Sequence, residues 1–188
     1  MSKPPSAAPS IHANEFEQLS RAVAEQLDAT SDIEAMAVVF NLLRAANRLQ
    51  QDFETQVHRP AGLSFAAFRV MFTIHTVGRL NPLQIARLSS VSTATISSIL
   101  NTLERYEMVV RKRGAAADGR MVVVELTPAG ESVLEALWRR HHARERAWAG
   151  ALSASERRTL GRLLRKLIDH HPPAMASGPA RLVNHTGN

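Results

Sequence analysis

The chain has 188 residues, enough for one domain with a substantial core and marginal for two. Lys and Arg number 23 against 17 Asp and Glu, a formal net charge of +6 that suits nucleic acid but is shared with ribosomal and membrane-surface proteins. The lack of Cys excludes disulfide bonds, thiolate zinc sites and thiol redox sensing. No apolar run reaches the roughly 20 residues of a membrane-spanning helix, and residues 1–10 lack the apolar core of a signal peptide. We therefore expect a cytoplasmic protein without membrane association.

The first third of the chain is predicted to hold a tail and two helices. Residues 1–12 are rich in Pro, Ser and Ala, a composition typical of a disordered segment. Apolar residues recur at helical spacing from Ala13 to Leu27, and again from Ile33 to about Val57. The second apolar stripe is broader than one small core needs, so we expect part of it to face another surface.

A third helix and the segment from Asn81 to Leu126 occupy the centre of the chain. The third helix is predicted to follow an N-cap at Ser64, to be largely buried and to stop near Gly78. The later segment has the pattern helix, turn, helix, strand, basic tip and strand. Its two helices and two strands begin, in chain order, at Asn81, Ser92, Met108 and Met121. This order is typical of a winged helix-turn-helix, which places one helix in the DNA major groove and a hairpin beside it.

Two groups of residues in this segment are candidates for DNA contact. Hydroxyl and amide groups on the early turns of the second helix can hydrogen-bond to bases or phosphates. Basic residues can contact phosphates, and Arg120 can lie in the minor groove with Asp118 fixing its direction. The candidates are Ser92, Thr93, Thr95, Ser97, Ser98, Asn101, Arg105, Arg111, Arg113, Asp118 and Arg120. The alternatives are an ordinary solvated helix face with capping serines and a plain surface hairpin.

Two further helices are predicted after the hairpin. Thr127-Pro128 provides the cap and the Pro start of a long helix, and Ser153 to Glu156 forms the capping box of a final one. Pro172-Pro173 and a polar sequence predict a disordered tail over residues 171–188. The terminal helices carry more apolar surface than the centre can cover, so we expect them to pack on each other and on a second chain.

We therefore expect a mainly α fold with a small β-wing, a winged helix-turn-helix flanked by long N- and C-terminal dimerisation helices. Residues 13–170 are predicted to form a single domain. Its DNA-binding lobe is expected at 63–127, and its dimerisation helices at 13–58 and 128–170.

Four short motifs stand out along the chain: Leu63-Ser64, Asn81-Pro82-Leu83-Gln84-Ile85-Ala86, Asp118-Gly119-Arg120 and Leu126-Thr127-Pro128-Ala129-Gly130. Together they resemble motifs of the MarR (multiple antibiotic resistance regulator) family of winged helix-turn-helix transcriptional regulators. The resemblance implies a homodimer that represses by occupying a palindrome in a promoter and that releases it on binding a small, often phenolic or anionic, ligand. Relatives often carry Arg in the middle of the recognition helix, where this chain has Ser97-Ser98.

The resemblance also places a ligand pocket between the long helices and the DNA-binding lobe. Arg44 or Arg69 can hold a carboxylate bidentately, and His75 can add a donor. The candidate ligand-binding residues are Phe40, Arg44, Phe68, Arg69, Phe72 and His75, with Trp138 as a further one. In the alternative interpretation the Phe side chains are plain core, Arg44 faces solvent or the partner chain, and His75 is a satisfied half-buried histidine.

The sequence contains no motif that indicates an enzyme or a metal site. In the pairs His141-His142 and His170-His171, the two adjacent side chains would point about 100° apart on a helix, so neither pair chelates a metal alone. No Gly-rich phosphate loop or nucleophile elbow is present, and we expect no cofactor. We predict a dimeric, sequence-specific regulator of transcription that binds double-stranded DNA and a small-molecule effector. The alternatives are a ligand-independent architectural or protein-interaction winged helix and, more weakly supported, an RNA-binding protein.

Overall fold

The computed structural model describes residues 13–113 and 122–173, which form seven α-helices and a two-stranded sheet. In chain order the elements are α1 (Ala13–Leu27), α2 (Ile33–Phe53), α3 (Phe65–Val77), α4 (Pro82–Ser89), α5 (Thr93–Arg105), β1 (Val109–Arg113), β2 (Val122–Leu126), α6 (Pro128–Ala149) and α7 (Ala154–Ile168). The chain divides into two compact units after Arg144, and α7 belongs to the second. The mainly helical fold with a small sheet confirms the predicted fold class.

The end of α2 differs from the sequence prediction. One helix was expected to about Val57, but the α-helix ends at Phe53 and continues as a π-helical turn over Glu54–His58 and a 3-10 turn over Arg59–Ala61. Gly62 then adopts a left-handed conformation with φ of 80°. Because a π-turn changes the rotation between successive side chains, it turns His58 into the interior, where it is fully buried.

Side-chain caps define the starts of the helices in the central segment. The Ser64 hydroxyl caps α3, and Asn81 and Gln84 form a reciprocal capping box on α4. Ser90 ends α4 in a left-handed conformation with φ of 53°, and Ser92 already caps α5. The predicted caps at Ser64 and Asn81 are therefore confirmed, and a single residue, Val91, separates the C-cap of α4 from the N-cap of α5.

The small sheet has a participant that the sequence did not reveal. β1 and β2 pair antiparallel, with Val109 opposite Leu126 at the base of the hairpin. Leu80 also bridges to β2, because the Val124 N–H donates to the Leu80 carbonyl oxygen at 2.8 Å. This bridge ties the residue before the α4 cap to the sheet. The predicted hairpin turn at Asp118-Gly119 lies outside the described residues.

One hydrophobic core joins α3, α4, α5, the sheet and the first half of α6. Its fully buried side chains include Val70, Met71, Ile85, Leu100, Leu103 and Val124. Burial of such a side chain contributes roughly 1.5–3 kcal/mol each. Leu134 and Leu137 belong to the same core, so the start of α6 is fixed against α3, α4 and α5.

The start of α6 approaches the start of β1 very closely. The Thr127 hydroxyl donates to the Glu107 carbonyl oxygen at 2.6 Å and accepts from the Gly130 N–H at 3.0 Å. A Cβ on Gly130 would lie 2.1 Å from the Met108 carbonyl oxygen. The Thr-Pro-Ala-Gly motif therefore has a packing reason, because only glycine allows this approach.

Apolar side chains remain exposed on the terminal helices. α1 packs on α2 through Phe16 and Phe40, whose ring centroids are 5.7 Å apart. Exposed apolar residues on these two helices include Leu19, Val23, Leu27, Val38, Val39 and Leu43. In the second unit, α7 exposes Leu160, Leu163, Leu167 and Ile168. Among the described helices, none combines the length and apolar character needed to cross a membrane.

Candidate nucleic-acid interface and adjoining cleft

The early turns of α5 present hydroxyl groups to solvent. The exposed set is Thr93, Thr95, Ser97 and Ser98, and the opposite face, which lies in the core, is Ile96, Ile99, Leu100 and Leu103. The Ser92 hydroxyl accepts from the Thr95 N–H at 3.2 Å and also bonds the Thr95 hydroxyl at 2.6 Å. Ser92 is thus occupied as the helix cap, while the other hydroxyl-bearing residues face outward.

Two further candidates for DNA contact bind each other. Arg111 on β1 donates to the Glu104 carboxylate at 2.5 Å and to the Asn101 side-chain oxygen at 2.7 Å. Arg111 is half-buried and joins the strand to the last turns of α5. This network fixes the wing relative to the helix, and it occupies groups that the sequence assigned to DNA.

The structure describes only some of the remaining charged candidates for DNA contact. Arg105 is exposed, and its guanidinium lies over the Tyr106 ring, 5.2 Å from the centroid. The backbone of Arg113 lies at the end of β1, opposite Val122. Asp118 and Arg120 lie outside the described residues.

A second ion cluster at the wing was not found from the sequence. The Glu125 carboxylate on β2 accepts from the Lys112 ammonium at 2.6 Å and pairs with the Arg79 guanidinium. The hydrogen bond from Lys112, assisted by the charge of Arg79, lowers the pKa of the Glu125 carboxyl. The cluster links β1, β2 and the segment before α4, and it offsets part of the positive charge there.

An apolar cleft of about 140 Å³ opens between α3 and α6. Its lining residues are Phe72, His75, Leu134, Glu135 and Trp138. The rings of Phe72 and Trp138 stack with centroids 5.2 Å apart and planes 15° apart. Nδ1 of His75 hydrogen-bonds the Glu131 carboxylate at 2.5 Å, which orients the imidazole at the rim. The lining of the cleft is therefore mainly apolar and aromatic, and His75 and Glu135 are its two lining residues with polar side chains.

Next to this cleft lies a buried histidine pair that sequence reasoning missed. His58 Nε2 and His141 Nδ1 are 3.2 Å apart, and both residues are buried. Phe65 and Phe68 pack against both rings, and Phe53 packs against His141. Burial, followed by the neighbouring charges of His141 and Arg140, lowers the pKa of His58 to about 4. The one residue of this pair that sequence analysis singled out is His141, which was considered above as a metal ligand.

The structure does not bring the six predicted ligand residues together. Phe72 and His75 line the cleft, whereas Phe68 is buried against the histidine pair. Phe40 and Arg44 lie at the α1–α2 contact, where the Arg44 guanidinium stands 5.3 Å from the Phe40 ring centroid. Arg69 faces the turn between α4 and α5. Within the described residues, no three side chains form a group that could hold a metal ion.

These features define a winged helix-turn-helix protein of the DNA-binding class, and comparisons with known proteins agree. The MarR family model matches residues 63–120. The HTH-type transcriptional regulator YwaE of Bacillus subtilis is 34% identical over 139 residues, which cover 74% of this chain and 81% of that protein. The HTH-type transcriptional repressor NicR of Pseudomonas putida is 31% identical over 132 residues, covering 70% and 82%.

Solved structures of the same family share the fold. Bordetella bronchiseptica BpsR, described with regulation of its DNA binding by 6-hydroxynicotinic acid, matches with a TM-score of 0.65 and 26% identity over 71% of this chain and 99% of that one. A mutant of Escherichia coli MarR in complex with operator DNA matches with a TM-score of 0.61 and 22% identity over 74% and 99%. The chain belongs to the MarR family of transcriptional regulators, which confirms the predicted family. It is a family of regulators and not of enzymes.

Proposed function

We propose that this chain is a homodimeric repressor that binds a palindromic DNA site through α5 and the wing and leaves it when a small aromatic ligand binds. The observation that carries the proposal is the division of α5 into a buried apolar face and an exposed hydroxyl face. Short side chains reach base edges only when the helix lies deep in the major groove. In a MarR-family fold, we expect the exposed hydroxyl face of α5 to be the surface that enters the major groove.

Affinity and specificity then come from different residues. Ser and Thr distinguish bases weakly as single contacts, so the contribution of α5 to specificity depends on how closely the whole helix fits the groove. Phosphate contacts from Arg105 and other exposed basic residues supply affinity, and Arg120 supplies shape readout in the minor groove. Arg111 is held by Glu104 and Asn101, so we assign it to positioning the wing.

Dimerisation is supported by apolar surface that the single chain leaves uncovered. Val39 and Leu43 on α2 are 57% and 58% exposed. The second unit separately exposes a row of Leu side chains on α7. Two copies related by a two-fold axis would bury such faces and place two α5 helices about one DNA turn, roughly 34 Å, apart. On formal charge, two chains of +6 carry 2 × 6 = +12, which favours association with DNA.

A planar aromatic ligand fits the cleft between α3 and α6. Its ring would pack against Phe72 and Trp138, and a hydroxyl group would bond with His75 or Glu135 at the rim. Regulation of the relative BpsR by 6-hydroxynicotinic acid supports this ligand class. Of the two predicted carboxylate ligands, Arg69 hydrogen-bonds to backbone carbonyls and Arg44 lies at the α1–α2 contact, so recognition here rests on the aromatic walls and on hydroxyl contacts.

The DNA part of the proposal is tested by selecting bound duplexes from a random pool and footprinting the protein on the duplex that is enriched most. We expect a protected palindrome of roughly one and a half to two helical turns. Arg120→Ala should weaken binding to the selected duplex about tenfold, because it removes a minor-groove contact. Equal affinity for every duplex, with only a steep salt dependence, would support an architectural protein instead.

The ligand part is tested with 6-hydroxynicotinic acid and 4-hydroxybenzoic acid as probes. We expect one of them to release the selected duplex, measured by fluorescence anisotropy. Trp138→Ala should raise the half-effective concentration about tenfold, since stacking on the ring is lost. Val77→Ala is the matched control, an apolar truncation on exposed α3 surface outside the cleft lining. An equal response of both variants would place the ligand elsewhere.

A further inference from the structure

Arg69 extends from α3 to the turn between α4 and α5. Its Nη2 group donates to the backbone carbonyl oxygens of Ser89 and of Ser90, the second at 2.8 Å. These carbonyls close the C-terminal end of α4, where intrahelical donors have run out and the helix dipole is negative. The guanidinium also lies over the Phe65 ring, 5.6 Å from its centroid. The side chain is half-buried, so these contacts restrict it.

We propose that Arg69 is a positioning residue that fixes the start of α5 for DNA docking without touching the DNA. The inference rests on the proposed insertion of α5 into the major groove. Ser90 holds a left-handed backbone conformation, which is unfavourable for a residue other than glycine. By binding the Ser90 carbonyl, Arg69 stabilises that conformation two residues before Ser92, the N-cap of α5.

The chemistry of the contact requires Arg. Burial lowers the pKa of the Arg69 guanidinium, and among the described residues its hydrogen bonds go to these two carbonyls and to no carboxylate. A planar guanidinium holds two neighbouring carbonyls while stacking on a ring, whereas Lys offers a single, strongly hydrated point charge.

The inference is tested with Arg69→Met and Arg69→Lys against the duplex selected by the unmodified protein and a scrambled duplex of equal length. We expect Arg69→Met to bind the selected duplex about tenfold more weakly, with affinity for the scrambled duplex nearly unchanged. The dependence of affinity on salt should keep its slope, because no phosphate contact is lost. Arg69→Lys should have an affinity for the selected duplex between those of the unmodified protein and Arg69→Met. It also provides the test if the Met variant fails to fold. Arg48→Met is the control, because it removes the same charge from an exposed position on α2.

The ratio of the two affinities separates the possible roles of Arg69. A loss of stability would lower the active fraction and weaken both duplexes equally, and this outcome would overturn the inference. A direct phosphate contact would weaken both and reduce the salt slope by about one, which would also overturn it. Unchanged binding to both duplexes would do the same.

Amide hydrogen exchange in the free protein tests the inference without DNA. Arg69→Met should speed exchange at residues 91–96 about tenfold and leave α6 unchanged, because only the turn loses its support. Unchanged exchange at residues 91–96 would overturn the inference. If the unmodified protein selects no duplex while exchange changes as expected, then the proposed DNA docking has failed and the positioning contact stands.

Discussion

At the scale of single residues, the burial of His58 makes folding sensitive to acid. Its imidazole packs against Phe65, Phe68 and His141, and its Nδ1 atom has no hydrogen-bond partner among the described residues. Burial of this ring, followed by the neighbouring charges of His141 and Arg140, lowers the pKa of His58 to about 4. The folded state therefore favours the neutral ring.

The first prediction concerns stability between neutral and acid pH. Above pH 6.5 His58 is neutral in both the folded and the unfolded chain, so its titration contributes nothing. As the pH falls from 6.5 towards 4, only the unfolded chain takes up the proton, and the free energy of unfolding decreases. The fall of the His58 pKa from 6.5 to about 4 corresponds to a loss of about 3 kcal/mol at the acid end. Urea unfolding at about pH 7.5 and at about pH 4.5 should show most of this loss in the free energy of unfolding.

A variant separates His58 from the carboxyl groups that titrate in the same range. His58→Phe keeps an aromatic ring in the cage, and the difference in unfolding free energy between the two pH values should shrink by about 2–3 kcal/mol. His170→Gln, which removes an exposed histidine of the second unit, should leave that difference unchanged. The same pH sensitivity in all three proteins would show that His58 is not its source.

A second residue-scale prediction concerns the close approach of α6 to β1. Gly130→Ala would place a methyl group against the Met108 carbonyl, so the helix start or the strand must shift. We expect a loss of about 1–3 kcal/mol in the free energy of unfolding, the usual cost of overpacking. Gly161→Ala is the control, since its added Cβ meets only the end of the Arg165 side chain at 3.7 Å. It should stabilise α7 by roughly 0.5–1 kcal/mol. Equal effects in both variants would argue against the close contact.

At the scale of elements, the sequence predicted what local chemistry decides. Caps at Ser64, Asn81 and Ser92 are short-range hydrogen bonds, and the helices begin where those residues predict. The strand partner Leu80 was missed because a single bridging residue has no periodicity. The π-turn after Phe53 was missed because the apolar stripe continues through it.

The candidate site shows the same division. The outward face of α5 could be predicted from helical spacing, because the buried positions repeat every three or four residues. The partners of Arg111 and Arg69 could not, since Glu104 and the Ser89 carbonyl come near them only through tertiary packing. A basic side chain in a DNA-binding lobe can serve the protein's own backbone, and its sequence does not distinguish that role from phosphate binding.

At the scale of the whole molecule, the proposed dimer makes DNA reading depend on the terminal helices. A single α5 contacts only a few base pairs, so affinity at physiological salt requires two half-sites read together. The exposed apolar residues of α2 are therefore functional surface in the proposed dimer and not an accident of composition. Assembly and DNA binding should fail together.

The last prediction tests that link with Leu43→Glu. A carboxylate on the exposed apolar face of α2 would have to be desolvated in the dimer, at a cost of several kcal/mol. We expect light scattering at micromolar concentration to give a mass near 20.7 kDa in place of twice that value. Binding to the selected duplex should weaken at least a hundredfold, while far-ultraviolet circular dichroism stays unchanged. Gln50→Glu adds the same charge at another exposed position of α2 and should affect neither property. A monomeric mass for the unmodified protein, or tight binding by a monomeric Leu43→Glu variant, would separate DNA recognition from assembly and leave the apolar face of α2 without its proposed role.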